Sequence, residues 1–428
     1  MNPKEEMYLW AKDLWPITRS LTGDGVRETL SYLKQLMPSL KIHNVQSGSR
    51  AFDWTVPDEW SISNAYIDDE YGNRIIDFSE NNLHVVGYSD QIDLWMTLDE
   101  LESHLYSLPD QPNAIPYVTT YYAANWGFCL THKKRKLLKK GKYHVVINSK
   151  KKNGVLNYGE LIIKGESDKE VFLSTYLCHP SMANDNLSGV VVTMALAKWL
   201  NSLEKRKFSY RLIFIPETIG SLAYLSENLQ YLKENVVAGY NITCIGDDRC
   251  YSFLPSRKGL TISDAAAKHV LENTDKNYKK YKWLDRGSDE RQYCAPGVDL
   301  PIASIMRSKY GEYAEYHTSL DDLNVITESG LNGGYQAIKR SIEIIENNIT
   351  PRITVHGEPQ LGKRGLYPNL SIKDSTKHVD VRTLMNLISY CDGENTLLEI
   401  ANIINKPFWE LLPLIETLIK HNLVIDEN

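Results

Sequence analysis

Ser174-Thr175-Tyr176-Leu177-Cys178-His179-Pro180-Ser181-Met182-Ala183-Asn184-Asp185-Asn186-Leu187-Ser188-Gly189 is the stretch on which the reading of this chain turns. The apolar run from Val171 to Leu177 reads as a buried strand. It delivers an imidazole, His179, and then a carboxylate, Asp185, onto the loop at its end. From Leu187 to Leu200 the apolar pattern behind a small-residue entry reads as the helix that follows. Strand ends are where α/β proteins keep their chemistry. An imidazole plus a carboxylate in that position is half of a zinc site.

Outward from this stretch the pattern alternates. Strand-like runs fall at 143–148, 155–163 and 171–177. They are followed by helix 187–204, strand 210–216, helix 221–235, strand 239–246, helix 263–273, strand 300–306 and helix 332–347. Such alternation predicts an α/β fold with a mixed, largely parallel central sheet flanked by helices. Residues 3–15 and 25–37 have helical apolar spacing, punctuated by Gly23-Asp24-Gly25. Between about 40 and 110 short aromatic runs are broken by Asp, Gly, Asn and Pro, which predicts a small β-rich module, 41–109, inserted into the larger domain.

Residues 351–375, rich in Pro, Gly and polar residues, read as a linker. Beyond it comes a helix over roughly 379–390, then the turn Cys391-Asp392-Gly393-Glu394-Asn395. A second helix opens at Thr396 with Glu399 placed for a capping box, and a third starts near Asn405 with Pro407 in its first turn. Leu423-Val424-Ile425 reads as a short strand, so 376–428 is winged-helix-like. From 375 to 428 four Lys/Arg face eight Asp/Glu. DNA-reading modules are normally basic, so this one is expected to serve packing or protein contact.

The 428 residues predict two or three domains. A net charge of −6 argues against a general nucleic-acid binder, and no nucleic-acid partner is expected. No apolar run approaches the roughly 18 residues that cross a bilayer, and the N-terminus lacks a signal-peptide core. The six cysteines form no C-x-x-C pair and are expected as reduced thiols in a cytoplasmic protein. The basic run Lys133-Lys134-Arg135-Lys136 is expected as a solvated face.

Four segments carry candidate chemistry: His179 with Asp185; Phe214 to Ser221, a strand running into Glu217; Asn241 to Asp248; and Glu315 to Asp322, containing Tyr316 and His317. Two histidines and a carboxylate hold Zn²⁺ at three corners of a tetrahedron. A nearby unligated carboxylate can take the proton of a metal-activated water. His179, Asp185 and His317 suit the first role and Glu217 the second. Plainer roles are open to each: a hydrogen-bonded strand-end histidine, a helix cap at Asp185, a salt bridge at Glu217 and a surface position for His317. Arg291, Arg307 and Tyr313 lie near His317 in sequence and could bind an anionic group of a small-molecule or peptide substrate. Ion pairs with neighbouring acids are the alternative.

Asp185-Asn186-Leu187-Ser188-Gly189 resembles the D-N-x-S-G run of the co-catalytic zinc aminopeptidases, a group that includes glutamate carboxypeptidases and glutaminyl cyclases. Pro216-Glu217-Thr218-Ile219-Gly220 resembles their E-E-x-G motif, and Tyr316-His317-Thr318 their Y-H-T segment. The resemblance implies that Asp185 bridges two metal positions, that His179 and His317 bind one position each, that Glu217 is the general base and that Tyr316 steadies the oxyanion. It covers about 120–348, with the N-terminal helices in the same domain, 1–40 and 110–350.

Arg286 to Tyr293, Met306 to Gly311 and Tyr122 to Cys129 resemble a bacterial aminopeptidase-like subfamily often encoded beside polysaccharide or secondary-metabolite biosynthesis genes. That subfamily has a small inserted domain and a C-terminal winged helix. Two positions depart from the wider family: Thr218 stands where a second Glu binds zinc, and Thr243 where an Asp does. Asp247 or Asp248 could substitute. Threonine is a poor zinc ligand, so one zinc ion is expected. The activity implied is peptide or amide hydrolysis, with acyl transfer or cyclisation on the same scaffold, or a catalytically divergent binding protein, as alternatives. Assembly into a homo-oligomer is left open.

Overall fold

The computed structural model describes residues 2–366 and 381–427. The part of the expected linker after 366 and the first two residues of the helix expected at 379–390 lie outside the described residues. The chain divides into two compact units, 1–264 with 277–338 and 265–276 with 339–428.

Unit one is built on an eight-stranded sheet. In chain order its strands are β1 (Lys41–Gln46), β2 (Val155–Ile163), β3 (Glu170–Tyr176), β4 (Ser209–Ile215), β5 (Val236–Asn241), β6 (Ser252–Leu254), β7 (Lys279–Lys280) and β8 (Ile302–Met306). They lie in the order β1-β2-β4-β3-β5-β8-β6-β7. β4, β3, β5 and β8 are mutually parallel, and the strands outside them pair antiparallel, apart from β6 with β7. The fold is therefore the mixed, largely parallel α/β sheet that the alternation predicts.

β3 and β4 are buried at every residue, which is why both are dominated by apolar residues on both faces. Helices α1 (Pro3–Leu14), α2 (Asp24–Leu36), α3 (Ser188–Ser202) and α4 (Ile219–Asn235) accompany the sheet. Phe172 and Tyr176 of β3 share a core with Leu222, Ala223, Tyr224 and Leu225 of α4. The opposite face meets α3, where a Cβ on Gly189 would lie 2.7 Å from Thr175 Oγ1 and 2.5 Å from the carbonyl oxygen of Ile242. Only glycine lets α3 start so close to the sheet. Each buried aliphatic or aromatic side chain here contributes about 1.5–3 kcal/mol.

Three local differences from the sequence expectations have physical causes. Residues 41–46, expected in the inserted module, form β1 of the central sheet and pair with 155–160. The separate four-stranded sheet instead takes Lys142–Lys152 as a central strand between Glu59–Asp69 and Ile92–Thr97. The strand expected over 239–246 stops at Asn241. Beyond it the amides of Cys244, Ile245 and Gly246 donate to the side chains of Asn186, Ser188 and Asn184, which replace the ladder.

In unit two, helices Val381–Ser389, Leu397–Ile403 and Phe408–Lys420 precede strand Val424–Asp426, which pairs antiparallel with Pro351–Ile353. The start of the stretch expected as a linker is thus a strand. Thr396 and Glu399 form the expected capping box. Buried His269 accepts the Phe408 amide at Nε2 (2.8 Å) and pairs with Asn402 at Nδ1 (2.7 Å). Among the described residues no helix is long and apolar enough to cross a membrane.

Candidate metal centre

Past β3 the chain keeps one more strand contact, from the Leu177 amide to the carbonyl of Ile215 (2.8 Å). It then leaves the sheet at Cys178 and His179. Asp185 follows in the turn before α3, and Glu217 follows β4 before α4. His317 arrives from the segment after β8 with φ of +54°. Segments from three strand ends therefore meet at one end of the sheet.

His179 Nε2, Asp185 Oδ2 and His317 Nε2 form a set of potential ligand atoms within 4.8 Å of one another. Nε2 of His317 lies 3.1 Å from Asp185 Oδ2, and Nε2 of His179 lies 3.8 Å from it. Zinc bonds of about 2.0–2.1 Å in tetrahedral array separate their ligands by about 3.3 Å. Asp185 Oδ2 and His317 Nε2 are buried and make no hydrogen bond, although close enough for an ion pair. Buried atoms of this kind, gathered close together, fit a cation held among them. Glu217 Oε2 lies 3.5 Å from His179 Nε2.

The other side-chain atoms of Asp185 and His179 are committed. Tyr176 donates to Asp185 Oδ1, and its hydroxyl also pairs with Thr243 Oγ1 at 2.7 Å. Nδ1 of His179 pairs with the Tyr117 hydroxyl at 3.0 Å, leaving Nε2 for the shared point. Asp321 accepts from the amides of Asn184 (2.8 Å) and Asp185 (3.0 Å) and from the Tyr313 hydroxyl (2.8 Å), fixing the loop. Residues 115–119 splint the two histidines. The Tyr117 amide donates to the carbonyl of His317 (2.9 Å), the Ser319 amide to Ile115 (2.9 Å), and the Tyr117 side chain reaches His179. Tyr316 stacks on the His317 ring, with centroids 3.9 Å apart.

Burial pushes the His179 pKa down to about 4, against the pull of Asp185, so the ring is the neutral imidazole a metal needs. Burial also pushes the Asp185 carboxyl up, but the two imidazoles and Tyr176 outweigh it and hold the group below its ordinary value. Burial, then Asp289 and Asp185, raise the Glu217 carboxyl well above the usual range, with Arg291 opposing. Burial likewise raises the Tyr316 phenol, which stays protonated.

The structure gathers His179, Asp185, His317, Glu217 and Tyr316. Arg291 reaches the adjoining wall, where its Nη2 donates to Thr218 Oγ1 at 2.7 Å. Tyr313 lies beneath the site on Asp321. Arg307 does not join them; its guanidinium covers the Tyr251 ring at 4.0 Å and lies 4.0 Å from Asp248. The oxygens at the two departures are engaged, Thr218 by Arg291 and Thr243 by Tyr176. Asp247 is bound by Arg249, Ser308 and Asn184, and Asp248 by Thr327 and Ser329, so neither turns into the site. Tyr117, Tyr176 and Asp321 were not singled out from sequence. Ser174-Thr175-Tyr176, three hydroxyls closing a buried strand just before His179, was the signal available for Tyr176; Tyr117 gave none.

A family model described as a domain of unknown function, DUF4910, matches residues 8–348, and a winged helix-turn-helix model matches 349–426. A Clostridium acetobutylicum protein, provisionally named a polysaccharide biosynthesis protein with aminopeptidase-like domain, is 44% identical over 397 residues, 92% of this chain and 90% of that protein. A crystal structure of a provisionally named peptidase from Clostridium acetobutylicum is 41% identical with a TM-score of 0.93, covering 99% of this chain and 96% of that one. A zinc aminopeptidase from Bacillus subtilis shares the fold at 12% identity and a TM-score of 0.58, over 80% of this chain and 94% of that one.

Proposed function

From the premise that this chain belongs to the DUF4910 family, with an aminopeptidase-like fold and a C-terminal winged helix, we propose that it is a zinc-dependent hydrolase cleaving an amide or peptide bond. The observation that carries the reading is the convergence of His179, Asp185 and His317 on one point, with two of their buried atoms lacking hydrogen bonds and Glu217 alongside. These three residues would hold a single ion, because the oxygens of Thr218 and Thr243 are engaged by protein groups.

A zinc ion bound there supplies Lewis-acid polarisation of the scissile carbonyl and acidifies water. Glu217 takes the proton of the attacking water. Standing 3.5 Å from His179 Nε2, it is placed to hand that proton on to the departing amine. Tyr316, protonated and fixed against His317, donates a hydrogen bond to the developing oxyanion. Tyr117 keeps the His179 ring in register throughout.

Glu217→Gln is expected to lower turnover by about 10²–10⁴-fold while zinc content by elemental analysis stays at the wild-type level. Loss of metal in that variant would make Glu217 a ligand instead of a base and would overturn the assignment. The name of the Clostridium relative supports looking for substrates among intermediates of polysaccharide biosynthesis. A single-ion centre also favours acyl transfer as a second reading. Analysis of the products separates the two, since release of the free acid alone excludes transfer.

A further inference from the structure

Arg291 stands on the short helix Glu290–Tyr293, half-buried, against the residue that follows Glu217. One of its nitrogens, Nη2, donates to Thr218 Oγ1 at 2.7 Å, while its Nε is buried and has no partner. Among the described residues it makes no ion pair within 4.0 Å. In unit one Arg211, Arg135 and Arg27 pair with Glu170, Glu102 and Glu59, while Arg19 and Arg206 lack an ion pair but donate to two or more backbone carbonyls each. A guanidinium drawn out of water without a contacting anion is costly. It is also an incomplete fork, because the Nε hydrogen and the second Nη2 hydrogen remain for a planar, two-point acceptor.

The surroundings narrow what that acceptor can be. Thr218, the residue that Arg291 holds, directly follows Glu217, so the guanidinium stands beside the backbone that carries the candidate base. Of the two acids just before it, Glu290 is buried and accepts from Asn241, the Gly287 and Ser288 amides and the Tyr310 hydroxyl, and Asp289 is buried and accepts from the Thr218 amide (2.8 Å) and the Ser221 hydroxyl (3.0 Å). A substrate reaches Arg291 and not Asp289. Beside Thr218 a single guanidinium offers one positive charge and two remaining donors, too little for a dianionic phosphate. An ammonium group would meet the cation of Arg291. A singly charged carboxylate matches both the geometry and the charge.

Resting on the hydrolase reading above, we infer that Arg291 receives a carboxylate carried next to the scissile amide, so that the substrate is an N-acylated amino acid or a peptide's C-terminal end rather than a free N-terminus. The test uses the zinc-loaded full chain and calorimetry with paired probes, N-acetyl amino acids and their carboxamides. The acids are expected to bind about 10- to 100-fold more tightly than the amides. Arg291→Gln is expected to erase that preference, and Arg291→Lys to restore part of it. Both variants should keep the wild-type zinc content and thermal midpoint, because Arg291 touches none of the three ligands. Equal affinity for acid and amide, or a preference that survives Arg291→Gln, overturns the inference. Absence of turnover on every amide, with the acid preference intact, defeats the hydrolase reading and leaves the carboxylate subsite standing.

Discussion

The two ends of β3 and β4 both bury charge, and they do so in opposite ways. At the start of the strands Arg211 forks onto Glu170, with Nε to Oε2 at 2.6 Å and Nη2 to Oε1 at 3.0 Å. The same guanidinium also reaches Glu160. Tyr231 adds a bond to Glu170 (2.8 Å) and Tyr224 one to Glu160 (2.9 Å). Every nitrogen of that guanidinium has an acceptor. At the far end the ligand cluster leaves Asp185 Oδ2 and His317 Nε2 without hydrogen bonds, and Arg291 leaves its Nε free. Completed networks stabilise a fold, whereas groups left incomplete are arranged for something not yet bound.

The sharpest way to break this contrast is to remove one charge from each end. Arg211→Met strands Glu170 in the sheet and is expected to cost about 3–5 kcal/mol, read as a lower denaturant midpoint. Glu217→Gln, whose carboxylate makes no hydrogen bond to give up, should shift the same midpoint by less than about 1 kcal/mol. Equal losses would mean that the site end is also part of the scaffold. A smaller effect concerns the second layer: Tyr117→Phe removes the partner of His179 Nδ1 and should weaken zinc affinity by about 10–100-fold. Competition with a chelator of known affinity measures it, and an unchanged affinity would demote Tyr117 to packing.

The smallest effect extends the contrast to unit two. There burial pushes the His269 pKa down, despite Asn402, while its Nε2 accepts the Phe408 amide. The folded chain therefore holds this ring neutral when the unfolded chain, near the ordinary value of about 6.5, begins to take up a proton. Its contribution is complete above that value and is lost as pH falls toward the lowered folded one. Hydrogen exchange at the Phe408 amide should quicken over that interval beyond its intrinsic change. His269→Gln should abolish the excess.

Much of the arrangement was legible because burial on both faces leaves unmistakable runs. Strands expected at 155–163, 171–177 and 210–216 appear as Val155–Ile163, Glu170–Tyr176 and Ser209–Ile215. The helices after the two strand ends, expected at 187–204 and 221–235, are Ser188–Ser202 and Ile219–Asn235. Lys41–Gln46 escaped because an edge strand with mostly polar residues carries no such run, and its partner lies more than a hundred residues away. The site followed the same logic. His179, Asp185 and Glu217 announce themselves by directly following buried strands. Arg307 precedes His317 on the same segment after β8, yet its side chain lies on Tyr251 and near Asp248. Closeness along a loop says little about which wall of a cleft a long side chain will face.

The splint of residues 115–119 carries a consequence for how the proposed chemistry would be inherited. It touches one imidazole through a phenol and the other through a peptide carbonyl. A descendant could keep every ligand and the glutamate, alter only Tyr117 and its flanks, and fall silent. Sorting such descendants into working and retired copies by their ligands alone would misfile them.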